Sequence, residues 1–136
     1  MKKILFGLAF FVSSLFAELS HIDVTPKFIK ETKLKIIDIR TAPEWAETGI
    51  VKGSHLITFF DEKGNYDIGV FLDAVDKVVD KDEQFALICR TGSRTGVISE
   101  FLGKKLGYNV VNLRGGIVKL FREGFIAEPY SIKSNK

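Results

Sequence analysis

The stretch Phe85-Ala86-Leu87-Ile88-Cys89-Arg90-Thr91-Gly92-Ser93-Arg94-Thr95-Gly96 decides the fold. Its first four residues form a short apolar run rich in strand formers. Val97-Ile98, Phe101-Leu102 and Leu106 then recur at helical spacing up to Gly107, a natural glycine just past a helix end. Cys89, the only cysteine of the chain, therefore stands where a buried strand hands over to a helix N-terminus. Backbone N–H groups around such a turn converge as an anion-binding nest, and the helix dipole adds roughly half a positive charge. Arg90 and Arg94 contribute two fixed cations. This field favours the thiolate, the nucleophilic form of cysteine. An inert cysteine with two arginines solvating a helix start is the bland alternative, but it explains neither the paired cations nor Gly92, which permits positive φ in mid-loop.

Outward from this loop, strand and helix patterns alternate. Residues 34–39 read as a strand. Thr41-Ala42-Pro43-Glu44 reads as a helix start, with a capping box and a proline near the first position, and Gly49 stops that helix. Leu56-Ile57-Thr58-Phe59-Phe60 reads as a short strand, and the polar run Asp61-Glu62-Lys63-Gly64-Asn65 as a loop. An amphipathic helix over residues 69–79 follows, apolar at Val70, Phe71, Ala74, Val75 and Val78. After the helix that follows Cys89, Asn109-Val110-Val111 reads as a strand and residues 116–123 as a last helix, with Gly115-Gly116 making the turn between them. This order predicts an α/β fold: a mainly parallel sheet with helices on both faces and ligands at the C-terminal strand ends. Cys89 falls at such an end. Trp45, Phe59 and Phe60 read as core side chains, and Asp38, Arg40 and Glu44 as an ion-pair cluster, the alternative for Asp38 being a carboxylate that accepts loop N–H groups or holds an arginine.

The segment Cys89 to Arg94 resembles the active-site loop of the rhodanese family of sulfurtransferases, in which a cysteine heading a six-residue loop carries a persulfide. Further motifs follow in the family's order. Ile36-Ile37-Asp38-Ile39-Arg40 with Glu44-Trp45 is similar to its first signature, Gly49-Ile50-Val51-Lys52-Gly53-Ser54 to its second, and Asn112-Leu113-Arg114-Gly115-Gly116 to the double glycine near the domain's end. The second signature's usual histidine is Ile50 here, and the region of Leu120-Phe121 stands where a tryptophan often follows the double glycine. The resemblance implies a rhodanese-like domain over residues 18–130 and a sulfurtransferase acting through a Cys89 persulfide. Arg90, Thr91, Gly92, Ser93, Arg94 and Thr95 would bind a small anionic sulfur donor such as thiosulfate, with Asp38 and Arg40 in support. The acceptor would be cyanide or a thiol, a protein thiol included, and no metal or organic cofactor is required. Two other readings share the cysteine logic. A phosphatase or arsenate reductase resembles a cysteine and an arginine separated by five residues, against four here, and wants an acid near the leaving group that the sequence does not reveal. A persulfide carrier or binding module for a partner protein would use the same sulfur without turnover.

At 136 residues the chain has the length of one domain. Lys2 and Lys3, the apolar run 4–16 and Ala17 read as a secretory signal over residues 1–17, which predicts an exported, periplasmic protein with no stable membrane anchor after cleavage. An uncleaved anchor is the alternative, but the run is short of the roughly 20 residues a spanning helix needs. Cleavage would remove two lysines and no acid, lowering the net charge from +3 to +1. A chain so near neutrality has no bulk charge for nucleic acid. One cysteine cannot form an internal disulfide and is expected as a free reactive thiol. His21 and His55 lack carboxylate or cysteine neighbours at metal-ligand spacing. Residues 131–136 read as a polar tail.

Overall fold

The computed structural model describes residues 19–132; the predicted signal over 1–17 and tail residues 133–136 lie outside them. In chain order the elements are β1 (Leu19–Asp23), α1 (Pro26–Glu31), β2 (Lys35–Asp38), α2 (Ala42–Thr48), β3 (His55–Leu56), α3 (Ile68–Val78), β4 (Phe85–Ile88), α4 (Ser93–Glu100), a π-helical turn (Phe101–Lys105), β5 (Val110–Arg114) and α5 (Gly116–Arg122). The strands form one sheet in the order β1-β5-β4-β2-β3, and every strand pair in it is parallel.

The sequence of β4 explains its central place. All four of its residues are buried, as a strand covered on both faces requires. Because successive side chains point to opposite faces, the run splits the core in two. Phe85, Leu87 and Cys89 pack with Ile37, Phe71, Val75, Ile98 and Leu102 beneath α3 and α4. Ala86 and Ile88 pack with Ile36, Val111, Leu113, Ile117 and Leu120 on the face covered by α1 and α5. The register sets Asp38 of β2 beside Ile88 of β4, so the residues that follow each strand, Ile39-Arg40 and Cys89-Arg90, emerge side by side.

Local chemistry sets most helix ends. The Asp67 carboxylate accepts the Val70 N–H at 3.0 Å to open α3, and the Thr25 hydroxyl does the same for Phe28 at 3.0 Å in α1, where Pro26 holds the first position. In α2 the Thr41 hydroxyl and N–H lie 3.2 and 3.4 Å from Glu44 Oε1, and Gly49 closes the helix at φ +80°.

Some sequence expectations are corrected. The strand over residues 56–60 is only the two residues of β3. Beyond it the chain stays tied to β2 by Ile57 N–H to Asp38 O (3.0 Å) and Phe59 N–H to Ile39 O (3.1 Å), while the Thr58 hydroxyl donates to Arg40 O at 2.6 Å. These bonds follow the bend of β2 over the sheet end and no longer form a ladder. Val70 lies on the solvent side of α3, so only Phe71 and Val75 of the predicted stripe are fully buried. Leu106 is also exposed, because the π turn, closed by Leu106 N–H to Phe101 O at 3.3 Å, widens the helix and shifts its apolar phase. Strand β1 and helix α1 were not legible: β1 is an edge strand with a single partner, and α1 is six residues long with none of them fully buried. Trp45 and Phe59 are buried as expected, and Phe60 partly so. Tail residues 131 and 132 have no regular structure. No helix among the described residues is long and apolar enough to cross a membrane.

Candidate active site

Cys89 follows the last residue of β4 and is wholly buried. Its Sγ accepts the Gly92 N–H at 3.2 Å and lies 3.5 Å from the Thr95 hydroxyl. That hydroxyl also reaches Gly92 O at 3.3 Å. Thr95 has one proton to share, so a thiol donates to Thr95 while Thr95 donates to Gly92 O, and a thiolate takes the Thr95 proton for itself. The loop thus offers the sulfur two hydrogen-bond donors, one backbone and one hydroxyl, with α4 beginning directly behind them.

The loop is held from below by the double glycine. Ile117 N–H donates to Cys89 O and Val118 N–H to Arg90 O, each at 3.0 Å, so the first turn of α5 satisfies the carbonyls of the cysteine loop. The approach is so close that a Cβ on Gly116 (φ +62°) would lie 2.5 Å from Cys89 O, and one on Gly92 (φ +94°) 2.9 Å from Gly115 N. The turn is therefore more than a connection, and its link to Cys89 is invisible in sequence because 26 residues intervene. Gly116→Ala combines a positive-φ penalty with a backbone clash, and we expect it to lower unfolding stability by about 2–4 kcal/mol in urea titration. A variant with unchanged midpoint and slope would contradict this role.

Asp38 and Arg40 are both fully buried, and they form the opposite wall. Arg40 Nε donates to Asp38 Oδ1 at 3.0 Å and Nη2 to Oδ2 at 2.8 Å, while the Arg40 N–H also reaches Oδ1 at 3.0 Å. The remaining guanidinium bonds go to Thr48 Oγ1 (2.8 Å) and Gly49 O (3.0 Å), fastening the end of α2 to the end of β2. The Asp38–Arg40 half of the expected ion-pair cluster is thus present, and the Asp38 carboxylate has no hydrogen bond from an N–H of the cysteine loop.

Glu44 is not part of that cluster. Its carboxylate meets Arg94 in a two-pronged pair, Nη1 to Oε1 at 2.8 Å and Nη2 to Oε2 at 2.7 Å. The expected three-residue cluster is corrected because Arg40 spends its donors on Asp38, Thr48 and Gly49, whereas Glu44, in the first turn of α2, faces α4. The Arg94 hydrogen bond, its charge, and the Thr41 bonds hold the Glu44 carboxyl below its ordinary value of 4.5 against the opposing effect of burial. The Glu44 bond likewise raises Arg94, on which the charges of Cys89 and Asp38 also act. Of the other loop residues, Arg90, Thr91 and Ser93 are exposed on the rim, the last two with hydroxyls 3.2 Å apart.

A depressed carboxyl stabilises the fold above its unfolded-state pKa and loses that contribution as pH falls through its folded value. The pair is partly exposed, so its contribution is at most about 1 kcal/mol. Wild type should therefore exceed Glu44→Gln in thermal stability at neutral pH, with the gap closing as pH drops below 4.5. A gap that persists at strongly acidic pH would contradict the ion pair as its source.

Fold and site together define a single-domain α/β protein built around a cysteine loop at the end of the central strand of a parallel sheet. The chain belongs to the rhodanese-like domain family: the profile described as "Rhodanese-like domain" matches residues 23–123. It is 27% identical over 101 residues to "Putative sulfurtransferase YtwF" of Bacillus subtilis (strain 168), an alignment covering 74% of this chain and 86% of that protein. Among solved structures it is similar to a rhodanese-like domain protein from Staphylococcus aureus, with 25% identity, 85% of this chain and 99% of that one covered, and a TM-score of 0.55. It is also similar to a rhodanese-related protein from Thermoplasma volcanium, with 27% identity, 76% and 93% covered, and a TM-score of 0.54.

Proposed function

We propose that the protein is a sulfurtransferase that moves a sulfane sulfur from a small donor to a thiophilic acceptor through a persulfide on Cys89. With thiosulfate as donor, the Cys89 thiolate attacks the outer sulfur, the S–S bond breaks, and sulfite leaves with the bonding pair. An acceptor nucleophile, cyanide or a thiol, then attacks the outer sulfur of the persulfide, and the Cys89 thiolate departs. The Gly92 N–H and Thr95 hydroxyl stabilise the sulfur anion at either stage, and Arg90 on the rim attracts the donor. The residues assigned to binding are Arg90, Thr91, Gly92, Ser93, Arg94 and Thr95, with Asp38 and Arg40 fixing the neighbouring wall.

The observation that carries this reading is the bond from Gly92 N–H to Cys89 Sγ at 3.2 Å, inside a loop with four residues between Cys89 and Arg94. A loop one residue shorter than the phosphatase pattern makes a narrower cradle, better suited to a sulfur atom than to a phosphoryl group. An acid does stand near the loop, Glu44, but its lowered pKa and its bond to Arg94 make it a poor proton donor to a leaving group. Export to the periplasm is part of the proposal and would place the acceptor there.

Intact-mass spectrometry tests the reading. After thiosulfate or an organic persulfide the protein should gain about 32 Da, one sulfur. Cyanide should remove it, with thiocyanate formed in equal amount. A gain that cyanide cannot remove would favour the carrier, and no gain with either donor would sink sulfur transfer.

A further inference from the structure

We infer that Glu44 is a specificity-determining residue, which sets the cysteine loop against doubly charged sulfur donors and in favour of donors with at most one negative charge, of the organic persulfide class. The inference rests on the sulfurtransferase reading and names its donor.

The charges around the loop cancel in pairs. Asp38 and Arg40 neutralise each other in full burial, with oxygen to nitrogen at 2.8 Å. Glu44 and Arg94 do so at 2.7 Å, with both guanidinium Nη atoms committed to both carboxylate oxygens. Arg94 is the last residue of the loop that Cys89 opens, and it would be the natural counter-ion of a dianion. Here it arrives already paired, in the fork geometry that a carboxylate fits best. A dianion such as thiosulfate must either pull Arg94 away from Glu44 or lie beside a partly buried carboxylate, and that like-charge contact weakens its binding. Close to the Cys89 sulfur lies a neutral donor set, the Gly92 N–H and the Thr95 hydroxyl, with Arg90 outside on the rim. That set can support one developing sulfur anion. The step balances without an oxidant: the Cys89 thiolate attacks the outer sulfur of R–S–SH, the Cys89 sulfur–sulfur bond forms as the donor's breaks, and R–S⁻ leaves. The proton stays on the transferred sulfur or passes to water.

Glu44→Gln removes the charge while its amide oxygen can still accept the Thr41 N–H at the helix start, so α2 keeps its cap. Two ratios are read. One is the efficiency of Cys89 sulfur uptake from thiosulfate over uptake from the persulfide of N-acetylcysteine methyl ester, which has no carboxylate. The other is the rate of Cys89 alkylation by iodoacetate over that by iodoacetamide, which senses the field at the sulfur with no sulfur transfer. Wild type should favour the persulfide. Glu44→Gln should raise both ratios by about tenfold, and the gain should shrink in about 1 M salt, where screening shortens to about 3 Å. Unchanged ratios in a folded Glu44→Gln protein would overturn the inference, as would a wild-type preference for thiosulfate. A raised alkylation ratio with no sulfur taken from either donor would support the charge filter and overturn sulfur transfer itself.

Discussion

Cys89→Ser should yield a folded domain that takes up no sulfur. Serine keeps an acceptor where Gly92 N–H now meets Sγ at 3.2 Å and a partner where Thr95 stands at 3.5 Å, so the loop retains its internal bonds. A hydroxyl, however, is a weak nucleophile at neutral pH, and attack of an alkoxide on a sulfane sulfur has no persulfide product. Thiocyanate formation should fall by at least about 10³-fold, the scale of loss on removing an essential nucleophile. The +32 Da species should vanish from the mass spectrum. Melting temperature should move by only a few degrees, since the change in volume is small and the hydroxyl is hydrogen-bonded. Retention of sulfur by the serine variant would remove Cys89 from the centre of the chemistry, whatever the turnover data showed.

Asp38→Ala should be the most destabilising single change near the site. It would leave the Arg40 guanidinium, with no exposed side-chain surface, facing only Thr48 and Gly49. Breaking one half of a buried pair costs about 3–5 kcal/mol, because the remaining charge is uncompensated. For a domain of this size that corresponds to a fall in Tm on the order of 10–20 °C. The double variant Asp38→Ala with Arg40→Met should recover much of the loss, since replacing both charges by apolar groups is often close to neutral. Calorimetry on the two single variants and the double gives the coupling directly. Equal stability of Asp38→Ala and wild type would mean the pair does not fasten α2 to the sheet.

The legible parts of this protein were the local ones. The apolar run 85–88, the glycine in mid-loop and the helical spacing after it place Cys89 at a strand-to-helix turn through interactions within a dozen residues. Thr41, Pro43 and Glu44 mark the start of α2, and Gly49 its end, for the same reason. Where stability comes from a distant partner, local composition carries no signal. Strand β1 draws its stability from β5, about 90 residues later, and not from its own composition.

Pairings across the fold were a different matter. Glu44 could be recognised as charged and as a helix-capping residue, but nothing in its neighbourhood names Arg94, 50 positions away, over Arg40, four positions away. The choice was made by the geometry of the sheet end, where Arg40 turns inward to a buried carboxylate and α2 presents Glu44 to the start of α4. Gly116 likewise reads as a turn residue until α5 is seen to rest its first N–H groups on the carbonyls of Cys89 and Arg90. The parallel α/β order and a lone cysteine at a strand end could thus be read from the chain alone, because periodicity, capping and backbone freedom act over short stretches. Which charges around that sulfur are already spent emerged only from the folded arrangement, because partners in an ion pair are chosen by the distance between elements in space, which chain spacing does not encode.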